Sequence, residues 1–227
     1  AILNHAVNMY GLKDNVARKA GTMGKEENKE MEFWMQDEFQ EFLECVADKP
    51  ISYYAFEMLY WTGIREGELL ALTPADFNFE KKTLRINKSY QRLEGKDVIT
   101  DPKTPKSNRT IVMPDFLAVE MEDFISSLYG IRDDDRIFTI SKSYLHHEMD
   151  RGAKLAGVKR IRIHGLRHSH ISLLINLGFS ALAIGERVGH EAVDITYHYA
   201  HLFPTVQTDM AAQLETEREA LINVRKE

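Results

Sequence analysis

His164-Gly165-Leu166-Arg167, then Gly189-His190, then Tyr199 within Thr196-Tyr197-His198-Tyr199-Ala200-His201 are the residues from which the chain is read outward. A helix beginning near His164 brings His164 and Arg167 to one face, since side chains three positions apart are neighbours on a helix surface. Gly189-His190 follows Ala183, Ile184 and Val188, apolar positions at helical spacing, and a glycine just past such a run reads as a helix end. Tyr199 comes nine residues after His190. Two histidines, an arginine and a tyrosine suit chemistry on a phosphate. They supply cationic and neutral donors for its oxygens and a phenol to attack it.

His-x-x-Arg, then Gly-His, then a tyrosine nine residues on, resembles the catalytic core of the tyrosine recombinases, the integrases of phages and conjugative transposons. Arg65, in Thr62-Gly63-Ile64-Arg65-Glu66-Gly67-Glu68-Leu69, is similar to the first arginine of that family, and Lys103, in Pro102-Lys103-Thr104, to its hairpin lysine. The resemblance extends over roughly residues 30 to 210. It implies six catalytic residues: Arg65, Lys103, His164, Arg167, His190 and Tyr199. Tyr199 would attack a DNA phosphate, leaving a 3′-phosphotyrosine and a free 5′-hydroxyl without metal, ATP or other cofactor. Arg65 and Arg167 would neutralise charge on the non-bridging oxygens, helped by His164 and His190. Lys103, with Lys106 as fallback, would protonate the leaving 5′-oxygen. Type IB topoisomerases share this step, so strand relaxation is the alternative within the class.

Several residues carry competing readings. Tyr197 and Tyr199 sit two apart and face different ways on a helix, and the family interval selects Tyr199. Arg65 also reads as a helix-start arginine paired with Glu68; in the functional reading Glu68 holds the guanidinium from behind. His164, His168 and His170 together suggest a metal, but no carboxylate stands at ligand spacing and no cysteine is near, so His168 and His170 read as core or surface residues and no metal is expected. The segment from Leu177 to Gly189 also resembles a helix-turn-helix, which keeps open a DNA-binding regulator without catalysis. There Glu186 and Arg187 cancel in charge, where a base-reading helix needs cations.

The 227 residues carry a net charge of −6, which opposes binding to DNA. Its distribution answers this: Lys81 to Arg109 holds nine basic and three acidic residues, and Glu26 to Asp48 nine acidic and one basic, giving +6 and −8. A molecule so polarised can hold a phosphate backbone on one face. Lys88, Lys106, Arg109 and Arg162 are the further candidate contacts to double-stranded DNA. The single Cys45 excludes an intrachain disulfide and fits a reducing cytoplasm, and no apolar run approaches a membrane span.

Residues 1–18 carry Ile2, Leu3, Ala6, Val7, Met9 and Tyr10 in a short amphipathic pattern. The pattern ends near Gly11-Leu12, and the resemblance implies that 1–18 is the last helix of a truncated core-binding domain, followed by a polar linker over 19–30 and a catalytic domain over 31–227; a frayed terminus stays open. Helices are expected over 36–46, 51–62, 67–72, 116–128 and 144–156, and from 164 to the end with breaks at Gly178, Gly189 and near Pro204. Alternating runs predict strands at Thr83–Tyr90, Asp97–Thr100 and Arg109–Met113, the first two joined by a turn at Glu94-Gly95-Lys96. The expected fold is therefore α+β, mainly helical, with a small three-stranded antiparallel sheet. Beyond Pro204, Met210, Leu214, Leu221 and Val224 mark a tail helix. The resemblance implies that it docks on a neighbour in a DNA-bound homotetramer; packing on its own domain stays open.

Overall fold

The computed structural model describes residues 2–20, 32–101, 107–189, 211, 214–216 and 218, and the chain divides into two compact units, Ala1–Met31 and Glu32–Glu227. The first unit contains α1 (Ile2–Met9) and α2 (Val16–Ala20). The helix expected to end near Gly11-Leu12 stops at Met9, before Gly11 at φ +70°. Asn15 then starts the second helix, its Oδ1 accepting from the N–H groups of Ala17 at 3.1 Å and Arg18 at 3.3 Å. Asparagine side chains compete in this way with a continuing helix. α2 runs into the stretch read as linker as far as Ala20.

The core of the second unit is built on four helices whose apolar spacing the sequence lays down. α3 (Gln36–Glu44) buries Phe39, Phe42 and Leu43, three and four residues apart, as an amphipathic helix must. α4 (Pro50–Thr62) has proline in its first turn, where the missing N–H costs nothing, and stops at Gly63 with φ +65°. Phe39 lies flat on Tyr60 at 3.8 Å between ring centroids, and Phe42 meets Trp34 at 4.7 Å and the edge of Phe56 at 4.8 Å. α7 (Lys142–Ala156) closes over α3 with Leu145 and Met149, and α8 (Ile163–Asn176) supplies Ile163 and Leu166 to the same core. α5 (Glu66–Leu69), α6 (Asp115–Ser127) and α9 (Ala181–Val188) complete the helices of this unit up to residue 189.

The strands differ from the sequence expectation. The run 83–90 splits at Asn87-Lys88 into β2 (Thr83–Ile86) and β3 (Ser89–Leu93). β2 lies between β1 (Phe77–Asn78) and β5 (Arg109–Val112), antiparallel to both, with Ile86 opposite Arg109. β3 pairs instead with β4 (Lys96–Thr100) in a separate hairpin, turned by Glu94 at φ +49° and Gly95 at φ +78°. Two positive φ values at the turn match the right-handed twist of the strands it joins. The split has its cause in tertiary contacts. Lys88 is drawn to Asp76, whose side chain is fully buried, and to Thr73 Oγ1 at 3.0 Å. β3 meanwhile lies on α5, where a Cβ on Gly67 would stand 2.6 Å from Ser89 Oγ and 3.0 Å from the Tyr90 carbonyl oxygen. The three-stranded antiparallel sheet is thus β1-β2-β5, with a two-stranded ribbon beside it.

α3 and α7 approach so closely because Gly152 has no side chain: a Cβ there would collide with Phe42 and Val46. Gly152→Val should therefore overpack the core and cost about 1–3 kcal/mol, read as a lower midpoint in urea with an unchanged slope. An unchanged midpoint would show that α7 is not seated on Phe42.

Candidate functional site

The site is assembled where three helix ends meet. α4 ends at Gly63, α5 begins after Arg65, and α9 ends at Gly189. Arg65 is the residue preceding α5, with extended backbone, and Glu68 reaches back to it: Oε2 accepts from the Arg65 N–H at 2.8 Å. Glu68 Oε1 also accepts from Arg65 Nη1 at 2.8 Å, and Arg65 Nη2 donates to the Gly189 carbonyl at 3.2 Å. Those contacts occupy two of the five N–H groups a guanidinium carries.

Arg167 enters from α8, 1% exposed. Its Nη1 donates to the Gly63 carbonyl and its Nη2 to the Val188 carbonyl, so one cation caps the ends of α4 and α9 together. Arg109 comes from β5 and donates through Nε to the Arg187 carbonyl at 2.9 Å. The last three carbonyls of α9, at 187, 188 and 189, thus each accept from a different arginine. The four C-terminal carbonyls of a helix have no partner within it, and here charged donors satisfy three of them.

His164 sits in the first turn of α8 and is open to solvent. Partial burial, then the charges of Arg167 and Arg65, depress its pKa, so the ring is neutral at neutral pH and has a lone pair to offer. Its ring meets the edge of His168 at 4.7 Å. Burial first, then the charges of His164 and Arg167, lowers His168 to about 4. His170 is a core residue, 2% exposed, lowered to about 3 by burial and then by Arg187. As a neutral ring it accepts from Arg187 Nε at 3.1 Å. Among the described residues no cluster of three or more His, Cys, Asp or Glu is arranged to hold a metal ion.

The structure therefore brings together Arg65, Glu68, His164 and Arg167. Lys103, Lys106, His190, Tyr197 and Tyr199 lie outside the described residues. Two of the expected DNA contacts are placed elsewhere. Lys88 is tied to Asp76. Arg109, its side chain 6% exposed, is turned inward against Glu68, at 3.2 Å from Oε1 and 2.9 Å from Oε2. A buried carboxylate attracts these cations more strongly than a screened surface position would hold them. Arg162 is exposed ahead of α8. Sequence reading missed Arg187, which joins α9 to His170, to the Val112 carbonyl at 3.0 Å and to the Trp61 carbonyl at 3.2 Å. A basic residue in the last turn before a helix-ending glycine was the available signal.

This architecture and chain have known counterparts. The model of the phage integrase family matches residues 32–205. The ICEBs1 integrase of Bacillus subtilis is 32% identical over 217 residues, covering 89% of this chain and 58% of that protein. The integrase of Staphylococcus phage L54a is 29% identical over 179 residues, 71% of this chain and 51% of its own. The chain thus spans a little over half the length of these relatives. Among solved structures, the Tn1549 transposon integrase in complex with circular intermediate DNA superposes with a TM-score of 0.66 at 23% identity, over 85% of this chain and 68% of that one. The catalytic domain of bacteriophage HP1 integrase gives 0.57 at 19% identity, over 81% and 95%.

Among the described residues, Glu68 is the carboxylate that holds two of these arginines. Burial alone would raise its pKa, but hydrogen bonds and charge from Arg109, then Arg65, hold it below the ordinary 4.5. A depressed carboxyl contributes stability that is present above the unfolded pKa and lost as pH falls through the folded one. Glu68→Gln should cost about 3 kcal/mol at neutral pH, since it leaves buried cations uncompensated. The gap from the unaltered protein should close as pH falls below 4.5. Parallel melting curves at pH 7 and in acid test this, and a gap independent of pH would refute it.

Proposed function

The chain belongs to the phage integrase family, and we propose that it is the catalytic part of a DNA strand transferase that integrates and excises a mobile element. The observation that carries this reading is the meeting of Arg65 and Arg167 at consecutive carbonyls of α9, 189 and 188, immediately before His190. Residues 102 positions apart in the chain converge on one helix end, with His164 near enough to feel both charges. Nine residues further lies Tyr199.

In this reading the Tyr199 hydroxyl oxygen attacks the scissile phosphorus as the bond to the 5′-oxygen breaks. The phenolic proton goes to neutral His164, whose lowered pKa keeps the lone pair available. The 5′-oxygen leaves with a proton from Lys103. Arg65 and Arg167, with His190, stabilise charge on the non-bridging oxygens. A 5′-hydroxyl from a partner strand then attacks the phosphotyrosine, restores the phenol and joins the exchanged strands. The reading places the protein in the cytoplasm on double-stranded DNA, acting as a homotetramer on synapsed sites. Among the described residues no helix is long and apolar enough to cross a membrane. The regulator reading is disfavoured by α9 itself, whose exposed Leu182, Ala183 and Glu186 offer no cation to a DNA groove.

On a nicked DNA substrate Tyr199→Phe should abolish the covalent protein–DNA adduct while binding persists, because only the attacking oxygen is lost. Tyr197→Phe should retain the adduct. The reverse pattern would transfer the nucleophile's role to Tyr197.

Lys103→Ala should slow cleavage of ordinary DNA by roughly 10²–10⁴-fold, the scale of general acid catalysis. A 5′-bridging sulfur leaves without a proton, so the same variant should cleave that substrate near the unaltered rate. Equal defects on both substrates would make Lys103 a backbone contact and turn attention to Lys106.

A further inference from the structure

Arg109 is buried, fully engaged and absent from the reaction just described. Both of its terminal nitrogens address the carboxylate that holds Arg65. Glu68 Oε1 accepts from Arg65 Nη1 at 2.8 Å and from Arg109 Nη1 at 3.2 Å. Oε2 accepts from the Arg65 backbone N–H at 2.8 Å and from Arg109 Nη2 at 2.9 Å. Every oxygen of the carboxylate is thus shared between the two arginines. Arg109 is itself fixed at three further points: its own strand, the Ser107 carbonyl at 3.0 Å and the Arg187 carbonyl at 2.9 Å. Arg65, by contrast, only precedes the four-residue helix α5, with a side chain 37% exposed.

A carboxylate between one rigid and one half-open guanidinium is oriented by the rigid one. Swung away from Arg109, Glu68 would keep its contacts to Arg65 yet carry the guanidinium off line. Catalytic groups displaced by about 1 Å lose on the order of 10²-fold in rate. We propose that Arg109 is a positioning residue for strand cleavage, aiming Arg65 at the scissile phosphate through the shared Glu68 carboxylate. The inference rests on the strand-transferase reading above. It gives the residue a task in the reaction different from contact with DNA.

The test exploits charge. A methylphosphonate at the scissile position replaces a charged non-bridging oxygen by methyl, so it removes much of the need for Arg65 without removing the need for attack or for a leaving group. Arg109→Lys keeps a cation beside Glu68 but loses the planar fork that reaches both oxygens. Adduct formation by this variant should fall roughly 10²-fold on the ordinary phosphate and far less on the methylphosphonate, with the same ratio as Arg65→Lys. The double variant should be scarcely worse than Arg65→Lys alone, since both changes act on one group. If the lysine variant melts below the assay temperature, Arg109→Gln carries the same comparison. Equal losses on the two substrates, or additive losses in the double variant, would reduce Arg109 to a support of the fold and overturn the inference alone. Failure of the unaltered protein to form an adduct on phosphate DNA would overturn the strand-transferase reading and this inference with it.

Discussion

The end of α9 is the point on which the arrangement depends. Its carbonyls at 187, 188 and 189 face Arg109, Arg167 and Arg65, which arrive from β5, from α8 and from the start of α5. A helix C-terminus carries partial negative charge, and hydrogen bonds from ionised donors are about twice as strong as neutral ones. Three separate elements are therefore held to one turn of helix by interactions that reward a particular direction as well as a distance. Because His190 is the very next residue, whatever fixes this turn fixes where the chain leaves it.

Small residues make the approach possible. Gly63 ends α4 with φ +65°, and a Cβ on it would stand 2.6 Å from the His170 ring. Its carbonyl is the second acceptor of Arg167. His170 can accept from Arg187 only as a neutral ring, and its burial keeps it so. The glycine, the histidine and the two arginines thus form one fitted unit.

The helices were legible because their signals are local. The spacing of Phe39, Phe42 and Leu43, Pro50 at the head of α4 and Gly63 at its end state their element within one or two turns. The split of 83–90 was not legible, since it depends on Asp76 and Gly67, brought in by tertiary packing. The site divides in the same way. Arg65, His164 and Arg167 announce themselves by motif, and Glu68 by its place three residues after Arg65. Arg109 and Lys88 were read as surface cations because a run of basic residues carries no mark of which members turn inward. Only the burial of Glu68 and Asp76 decides that.

Burial of charge also reconciles an acidic chain with the anionic substrate proposed for it. Around the end of α9 stand the guanidinium groups of Arg65, Arg109, Arg167 and Arg187, and the carboxylate contacting them among the described residues is that of Glu68. The local balance is positive while the whole chain is at −6. Charges separated by more than about 10 Å of solvent are screened at ordinary salt. A buried cation cluster is screened far less. In the proposed strand transferase, long-range repulsion bears on how fast DNA approaches, and the positive turn at α9 on how a phosphate is held once it arrives. Of the four guanidinium groups, Arg109 and Arg187 spend their donors on carbonyls, on Glu68 and on His170, and Arg65 alone is both anchored and half open. That division suits a site in which much of the charge is structural and the fork of Arg65 is left half open.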